Sequence, residues 1–446
     1  MAFHSGRVSF CRFRVVGDAP ASVDEALLSI LQEHAFRETA IGAPEQVEAG
    51  WITGEHLLDT QFSYEKNGFG NLAMFALRID THQVPAAIKQ AYRKINEQAA
   101  AAGNPSGFAS RAQKREAQEL AGRQIHEDLA AGKFRKSKAV PLIWDLPRQT
   151  LYCGATGNTV VEQLARLFRQ SFGAELEAVT AGTLAGELLK EQGRRRDWED
   201  LHPSPFTAPP PEAHAQGDDA DGPRDVAIPT APWCARSVDL KDFLGNEFLI
   251  WLWWRAEAHE GEVPVRTPAG GQGQVFVTLD KALDMDCAWG VRGRQSLRGD
   301  GPTRWNEAAE ALAMGKWPRR AGLILSDGEH QWELTLQGDR MQVSGAALPE
   351  VPDAQSPRQL LEGRLLLIGT LASTLDAAYQ SFLAQRCSGG WSAQRQAIRQ
   401  WIADRRRPTK RPLTAALATM RPAQTSAESE PEPDAPQPDA AELPTA

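Results

Sequence analysis

The densest concentration of chemically able side chains in this chain of 446 residues is the run Gly132-Lys133-Phe134-Arg135-Lys136-Ser137-Lys138. Lys133, Arg135, Lys136 and Lys138 surround a single aromatic. That pattern suits neutralisation of phosphates combined with entry of an apolar side chain into a base step, at an unstacking cost of roughly a few kcal/mol. The same residues also allow a plainer arrangement, in which Phe134 plugs the edge of a core and the lysines form a solvated face. Arg111, Lys114 and Arg115 fall on one side of a helix, where they either follow a backbone groove or pair with Glu116 and Glu119. A second basic run, Arg405-Arg406-Arg407-Pro408-Thr409-Lys410-Arg411, reads as a nucleic-acid-contacting arm or as a flexible charged end.

Other chemistry has less to draw on. Hydrolysis of a phosphodiester with two divalent ions needs clustered carboxylates, and Asp280, Asp284 and Asp286 are the best available set; a charged strand edge explains them equally well. There is no Gly-Lys-Ser/Thr phosphate loop, no HExxH and no GxSxG, so ATP-driven, zinc-protease and serine-hydrolase mechanisms have no support in the sequence. Cys11, Cys153, Cys234, Cys287 and Cys387 are scattered without a CxxC pair, which favours neither a zinc site nor a disulfide framework. The expectation is therefore a protein without catalytic residues, metal or cofactor. Trp251, Trp253 and Trp254 have the chemistry to stack on bases, but such a stripe is more often a packed core or subunit interface, and packing is the preferred reading.

Charge must be read by segment. The net charge is −8, which taken alone argues against binding a polyanion. Yet residues 197–223 hold seven acidic side chains and no Lys or Arg, and residues 422–446 hold six and none. Residues 86–140 carry eleven basic and five acidic side chains. Positive charge is thus local, and local charge sets the potential a ligand meets. The two acidic stretches are poor in large apolar residues, so they are expected to be a proline- and aspartate-rich linker over 199–233 and a disordered, mostly acidic tail over 408–446.

The elements that must position these groups follow from hydrophobic periodicity. Residues 8–15 alternate as a strand with one buried face, and residues 23–34 repeat at helical spacing. A strand over 71–79 is followed by a helix opening at Pro85, which suits the first helical position. After the Gly/Asn/Pro/Ser break at 103–107, a second helix spans 111–129. Strands over 139–144 and 150–153 and a helix carrying Val160, Leu164, Phe168 and Phe172 complete a first domain, 1–198. Beyond the linker, a helix over 239–257, strands over 274–280, 321–325, 331–336 and 341–344, and helices over 360–383 and 392–407 make a second domain, 234–407. The fold class is α+β, with mixed sheets and packed helices. The longest strongly apolar stretch, Phe248 to Trp254, is seven residues long, far below the roughly 20 needed to span a bilayer. The amino terminus lacks the continuous apolar segment of a secretion signal, which places the expected location in the cytoplasm.

In these terms the first half resembles the recombination-associated RdgC family of bacterial DNA-binding proteins. The likeness covers residues 7 to about 185 as short matches in the right order: the opening strand, Ala35-Phe36-Arg37, Glu48-Ala49-Gly50-Trp51-Ile52, the strand over 75–79, and Val84-Pro85-Ala86-Ala87-Ile88-Lys89-Gln90-Ala91. It continues with Gln113-Lys114-Arg115-Glu116, Phe134 ahead of Ile143-Trp144-Asp145, Leu167-Phe168 and Ser171-Phe172-Gly173. Glu247-Phe248-Leu249-Ile250-Trp251-Leu252-Trp253 resembles a segment of longer members. The resemblance implies a nucleoid-associated protein that binds DNA with little sequence preference, favours duplex and restrains the recombinase RecA. It also implies a closed homodimeric ring with basic helical projections, here residues of about 86 to 138, and with Phe134 at the position of a phenylalanine that wedges into the duplex.

Overall fold

The computed structural model describes residues 3–38, 47–211, 228–266, 271–291, 293–352 and 354–405. In chain order the first half contains β1 (Val8–Val16), α1 (Glu25–Glu33), β2 (Val47–Ile52), α2 (Tyr64–Asn67), β3 (Gly68–Phe69), β4 (Leu72–His82), α3 (Ala86–Ala102), α4 (Arg111–Ala130), β5 (Arg135–Asp145), β6 (Thr150–Cys153), α5 (Asn158–Phe172), β7 (Glu175–Ala178), α6 (Ala181–Glu191) and α7 (Arg195–Glu199). The second half adds α8 (Phe243–Ala258), β8 (Glu262–Arg266), β9 (Gln272–Cys287), β10 (Gln295–Gly299), α9 (Asn306–Ala313), β11 (Lys316–Ser326), β12 (Gln331–Gln337), β13 (Gln342–Ala347), α10 (Pro357–Arg386) and α11 (Trp391–Arg405). The class is α+β, and the ladder pairs of the sheet are antiparallel. Among the described residues no helix is long and apolar enough to cross a membrane.

The two halves expected as separate domains share one sheet. Its order is β10-β9-β11-β12-β13-β1-β6-β5-β4-β2, so β1 joins the halves by pairing with β13 through Val8 and Phe10 and with β6 through Cys11 to Arg14. Residues 1–407 form one compact unit. The alternation of β1 explains how one strand serves two cores: Phe13 and Val15 face Trp51, Phe75, Trp144, Phe168 and Phe172 under α1 and α5, whereas Val8 and Phe10 enter the core that also holds α8 and α10. Arg12 secures the junction with a two-pronged pair to Asp376 on α10, at 2.6 and 2.7 Å.

The segment expected as a free linker is partly structural. Residues 201–207 run extended, as their prolines require, but Leu201, Ser204 and Phe206 are buried. The Ser204 amide donates to Glu247 (2.6 Å), Arg386 Nε donates to the same carboxylate (2.7 Å), and Trp391 Nε1 donates to Ser204 Oγ (3.1 Å). The strap therefore lies over α8 and the ends of α10 and α11. Residues 212–227, the middle of the expected linker, lie outside the described residues, as does the acidic tail over 408–446.

The helix expected over 239–257 with a single apolar stripe starts as a 3-10 turn, Leu240–Asp242, and continues as α8, in which every residue from Phe243 to Trp254 is buried. A helix apolar on all sides belongs in the middle of a core. Trp251 and Trp253 are fully buried and Trp254 nearly so, which assigns them to packing. Gly245 is required there because a methyl group would collide with the Gly338 carbonyl across the interface with the β12–β13 turn. Strands β2, β8 and β10 were not anticipated: they are short, β8 contains Pro264, and edge positions tolerate such residues without a clear alternation.

Candidate nucleic-acid interface

β4 and β5 pair in unbroken register from Leu72↔Asp145 to His82↔Arg135. Where this hairpin would turn, the chain instead leaves through α3, reverses at residues 103–110, and returns through α4. Pro85 stands one residue before α3 as its N-cap. No residue of α3 is buried, and on α4 only Ala117 and Ala121 are. These two alanines, four residues apart, let the helices approach on one face. Polar cross-links complete the pair: the Tyr92 hydroxyl donates to Asp128 (2.5 Å), Asn96 to Gln124 (3.1 Å), and Gln113 to the Ala100 carbonyl (3.3 Å). The result is a projection whose side chains mostly face water.

The return to the sheet is tightly specified. The amides of Gly132 and Lys133 bond back to the Leu129 and Asp128 carbonyls, both at 2.9 Å, with Gly132 at φ +77°. This is the left-handed helix ending that glycine permits. Phe134 follows at φ +64° and is half-buried. A left-handed conformation in a bulky residue costs roughly 1–3 kcal/mol and persists only where its surroundings hold it.

The four cations expected to act together do different things. The sequence places them between a helix and a strand; in the structure Arg135, Lys136 and Lys138 open β5 itself, and only Lys133 and Phe134 lie in the turn. Lys133 Nζ bonds Asp128 at 2.6 Å. Arg135 bonds Asp80 Oδ2 through Nε and Glu38 through a terminal nitrogen, both at 2.6 Å, while Arg78 donates to both Asp80 oxygens, at 3.0 and 2.8 Å. Lys133 and Arg135 therefore have their charge matched and tie the projection to the sheet. Lys136 and Lys138, opposite Thr81 and Ile79, are exposed and have no ion pair among the described residues.

Asp80 is fully buried between Arg78 and Arg135. Burial pushes its carboxyl up, but hydrogen bonds from Arg78 and Arg135 outweigh this and hold it below the usual aspartate range. A depressed folded value contributes stability that is complete above the unfolded aspartate value of about 3.9 and is lost as pH falls through the folded value. Melting temperature should accordingly begin to decline near pH 4 in an acid titration. Asp80→Asn should lower melting at neutral pH and flatten that decline; parallel pH profiles for the two proteins would remove Asp80 from the acid response.

Arg111, Lys114 and Arg115 lie at the far end of the projection. Arg111 and Lys114 are exposed and without an ion pair among the described residues, whereas Arg115 Nε is 3.5 Å from Glu119 with the two side chains 86% and 64% exposed. Such an exposed pair is worth little and leaves the arginine available. Twenty residues of α4 at 1.5 Å each separate this trio from the Lys136–Lys138 group by about 30 Å. The expected site residues thus form two groups, one at the tip and one at the root. Of the second basic run, Arg405 is held by Glu257 and the Thr303 carbonyl, and residues 406–411 lie outside the described residues.

The sequence patterns single out neither Phe108, which lies just past the break at 103–107, nor Asp128, which organises Tyr92 and Lys133. The three aspartates weighed for metal chemistry all lie on β9 and have protein partners. Asp284 accepts from Arg298 at 2.8 Å, Asp280 accepts the Gly301 amide at 2.6 Å, and Asp286 lies 3.7 Å from Arg319. Among the described residues no three His, Cys, Asp or Glu side chains gather into a metal-holding group. No protein-family model and no curated protein matches this chain.

Proposed function

We propose that this protein binds duplex DNA through its helical projection, by phosphate contacts that do not depend on base order, and that it acts by binding and not by catalysis. The carrying observation is the pair of exposed lysines, Lys136 and Lys138, which have no ion pair among the described residues, beside Phe134 at the root of a projection that otherwise faces water. Duplex DNA carries one negative charge per about 1.7 Å, so cations set along a protruding element match it better than they match a single small anion. Carboxylates that already hold arginine, as Asp284 does, offer little to a divalent ion. The resemblance to RdgC proteins extends the proposal to a homodimer, closing into a ring, that occupies cytoplasmic nucleoid DNA and limits access of RecA.

A gel-shift titration of unrelated duplex sequences at several salt concentrations tests this reading. Affinity should vary little with sequence, exceed that for single strands in competition, and fall steeply with salt. Binding that ignores salt, or that favours unpaired strands, contradicts it. Phe134→Ala should weaken duplex binding about tenfold, within the range of about 1–3 kcal/mol measured for aromatic contacts to bases. Because Phe134 is only half-buried and sits in a conformation that disfavours its side chain, melting should hardly change. Unaltered affinity in the same salt series would remove Phe134 from the interface.

A further inference from the structure

Phe108 is 79% exposed, more than any other large apolar side chain among the described residues, Leu240 following at 73%. It stands at the turn of the projection, in a loop that is anything but loose. The side-chain amides of Asn104 and Gln113 bond each other reciprocally at 2.7 and 3.2 Å, and Asn104 also donates to the Phe108 carbonyl at 2.8 Å. Gln113 accepts the Ser110 amide at 2.9 Å in a capping box, and Gly107 takes φ +68°, which lets the chain reverse. Side chain and backbone together hold the aromatic out in water. An ordered loop of this kind has already met the entropy cost of presenting its side chain to a ligand.

The surroundings of the ring specify the ligand. Arg111 and Lys114, three and six residues on, are exposed and have no ion pair among the described residues, and Arg115 has only its exposed neighbour Glu119. The positive end of the α4 dipole lies at the same place. A protein partner would require an apolar area around the aromatic anchor, whereas the first charged residues after Phe108 in the chain are the exposed cations Arg111, Lys114 and Arg115. Cations for phosphates and one flat apolar group for a base are the ingredients of nucleic-acid contact.

We propose that Phe108 is a second base-contacting residue, engaging the same duplex as the root of the projection but about 30 Å away along α4. At about 3.4 Å per base pair that distance corresponds to roughly nine base pairs. This inference rests on the DNA-binding reading above and adds a position and a spacing to it. The projection then lies along the duplex, with aromatics at both ends and phosphate contacts at each.

The test uses the full chain and labelled duplexes of 24 and eight base pairs in fluorescence anisotropy at low salt. Phe108→Ala should weaken binding to the longer duplex about tenfold and to the shorter one less than twofold, because eight base pairs cannot reach both ends at once. Phe108→Trp should retain wild-type affinity, and a 2-aminopurine placed nine pairs from a second such probe should report unstacking at both positions only with Phe108 present. The residue is exposed, so an unchanged melting curve is expected and checks the fold. If the variant binds the 24-pair duplex as the wild type does, the inference fails while DNA binding stands. An equal loss on both lengths refutes the spacing, and a wild-type protein that binds neither duplex overturns both readings.

Discussion

Changing Lys136, Lys138, Arg111 and Lys114 together to glutamate should lower affinity for duplex DNA about a thousandfold near 0.1 M salt. The choice of residues comes from the ion pairs. Lys133 and Arg135 are engaged with Asp128, Asp80 and Glu38, so reversing their sign would set like charges against a buried carboxylate and confuse loss of binding with loss of fold. The four chosen side chains are exposed and without ion pairs among the described residues, so their reversal should leave melting nearly unchanged. Four lost phosphate contacts should also reduce the slope of log affinity against log salt by about 3.6 units, at roughly 0.9 per contact. Retention of the variant on a DNA column at wild-type salt would refute the interface as a whole.

Glu247→Ala should cost about 3–5 kcal/mol, the range for breaking one side of a buried ion pair. Glu247 is fully buried, and its carboxylate accepts from Arg386 and from the Ser204 amide. Without it, the nearly buried Arg386 guanidinium keeps the His202 carbonyl but loses its carboxylate, the buried Ser204 amide loses its acceptor, and the strap over 201–207 loses its central attachment. The melting temperature should drop by about 4–6 °C, at roughly 2.1 cal/mol/K of unfolding entropy per residue over a single unit of about 400 residues. Glu247→Gln, which keeps an acceptor for Ser204 but removes the charge, should fall between the two. DNA affinity measured well below the melting transition should be unchanged, since the strap is remote from the projection in the chain and in the sheet order. A melting shift below about 2 °C for the alanine variant would mean that the bonds from Trp391 and Arg386 to Ser204 and His202, with buried Phe206 and Leu201, hold the strap without Glu247.

Much of the local structure was legible from residue types. The alternation in β1, the apolar repeat of α5, the break before α4 and the excess of basic residues over 86–140 each report a property of a short window, and short windows suffice for periodicity and caps. The two helices over 85–129 and their basic character were therefore accessible before any fold was known, as was the packing of the three tryptophans. Which cations remain open to a ligand was not. Arg135 is satisfied by Asp80 and Glu38, 55 and 97 residues away in sequence, and no local pattern announces partners at such distances. Lys133 and Lys136 look alike in the chain, yet Asp128 makes one of them structural.

Phe108 and the two sheet halves show the same division at larger scale. Phe108, between the break at 103–107 and the helix from 111, belongs to no periodic pattern; its exposure follows from the reciprocal bonding of Asn104 and Gln113, a fit between two side chains nine residues apart. Likewise, proline and aspartate between the halves suggested two domains, while β1 pairs with β13 more than 330 residues later, in the register Val8↔Ala346. Composition and spacing report what a segment is able to form by itself. Long-range pairing depends on which surfaces remain unsatisfied once every segment has formed, and that is a property of the closed chain in three dimensions.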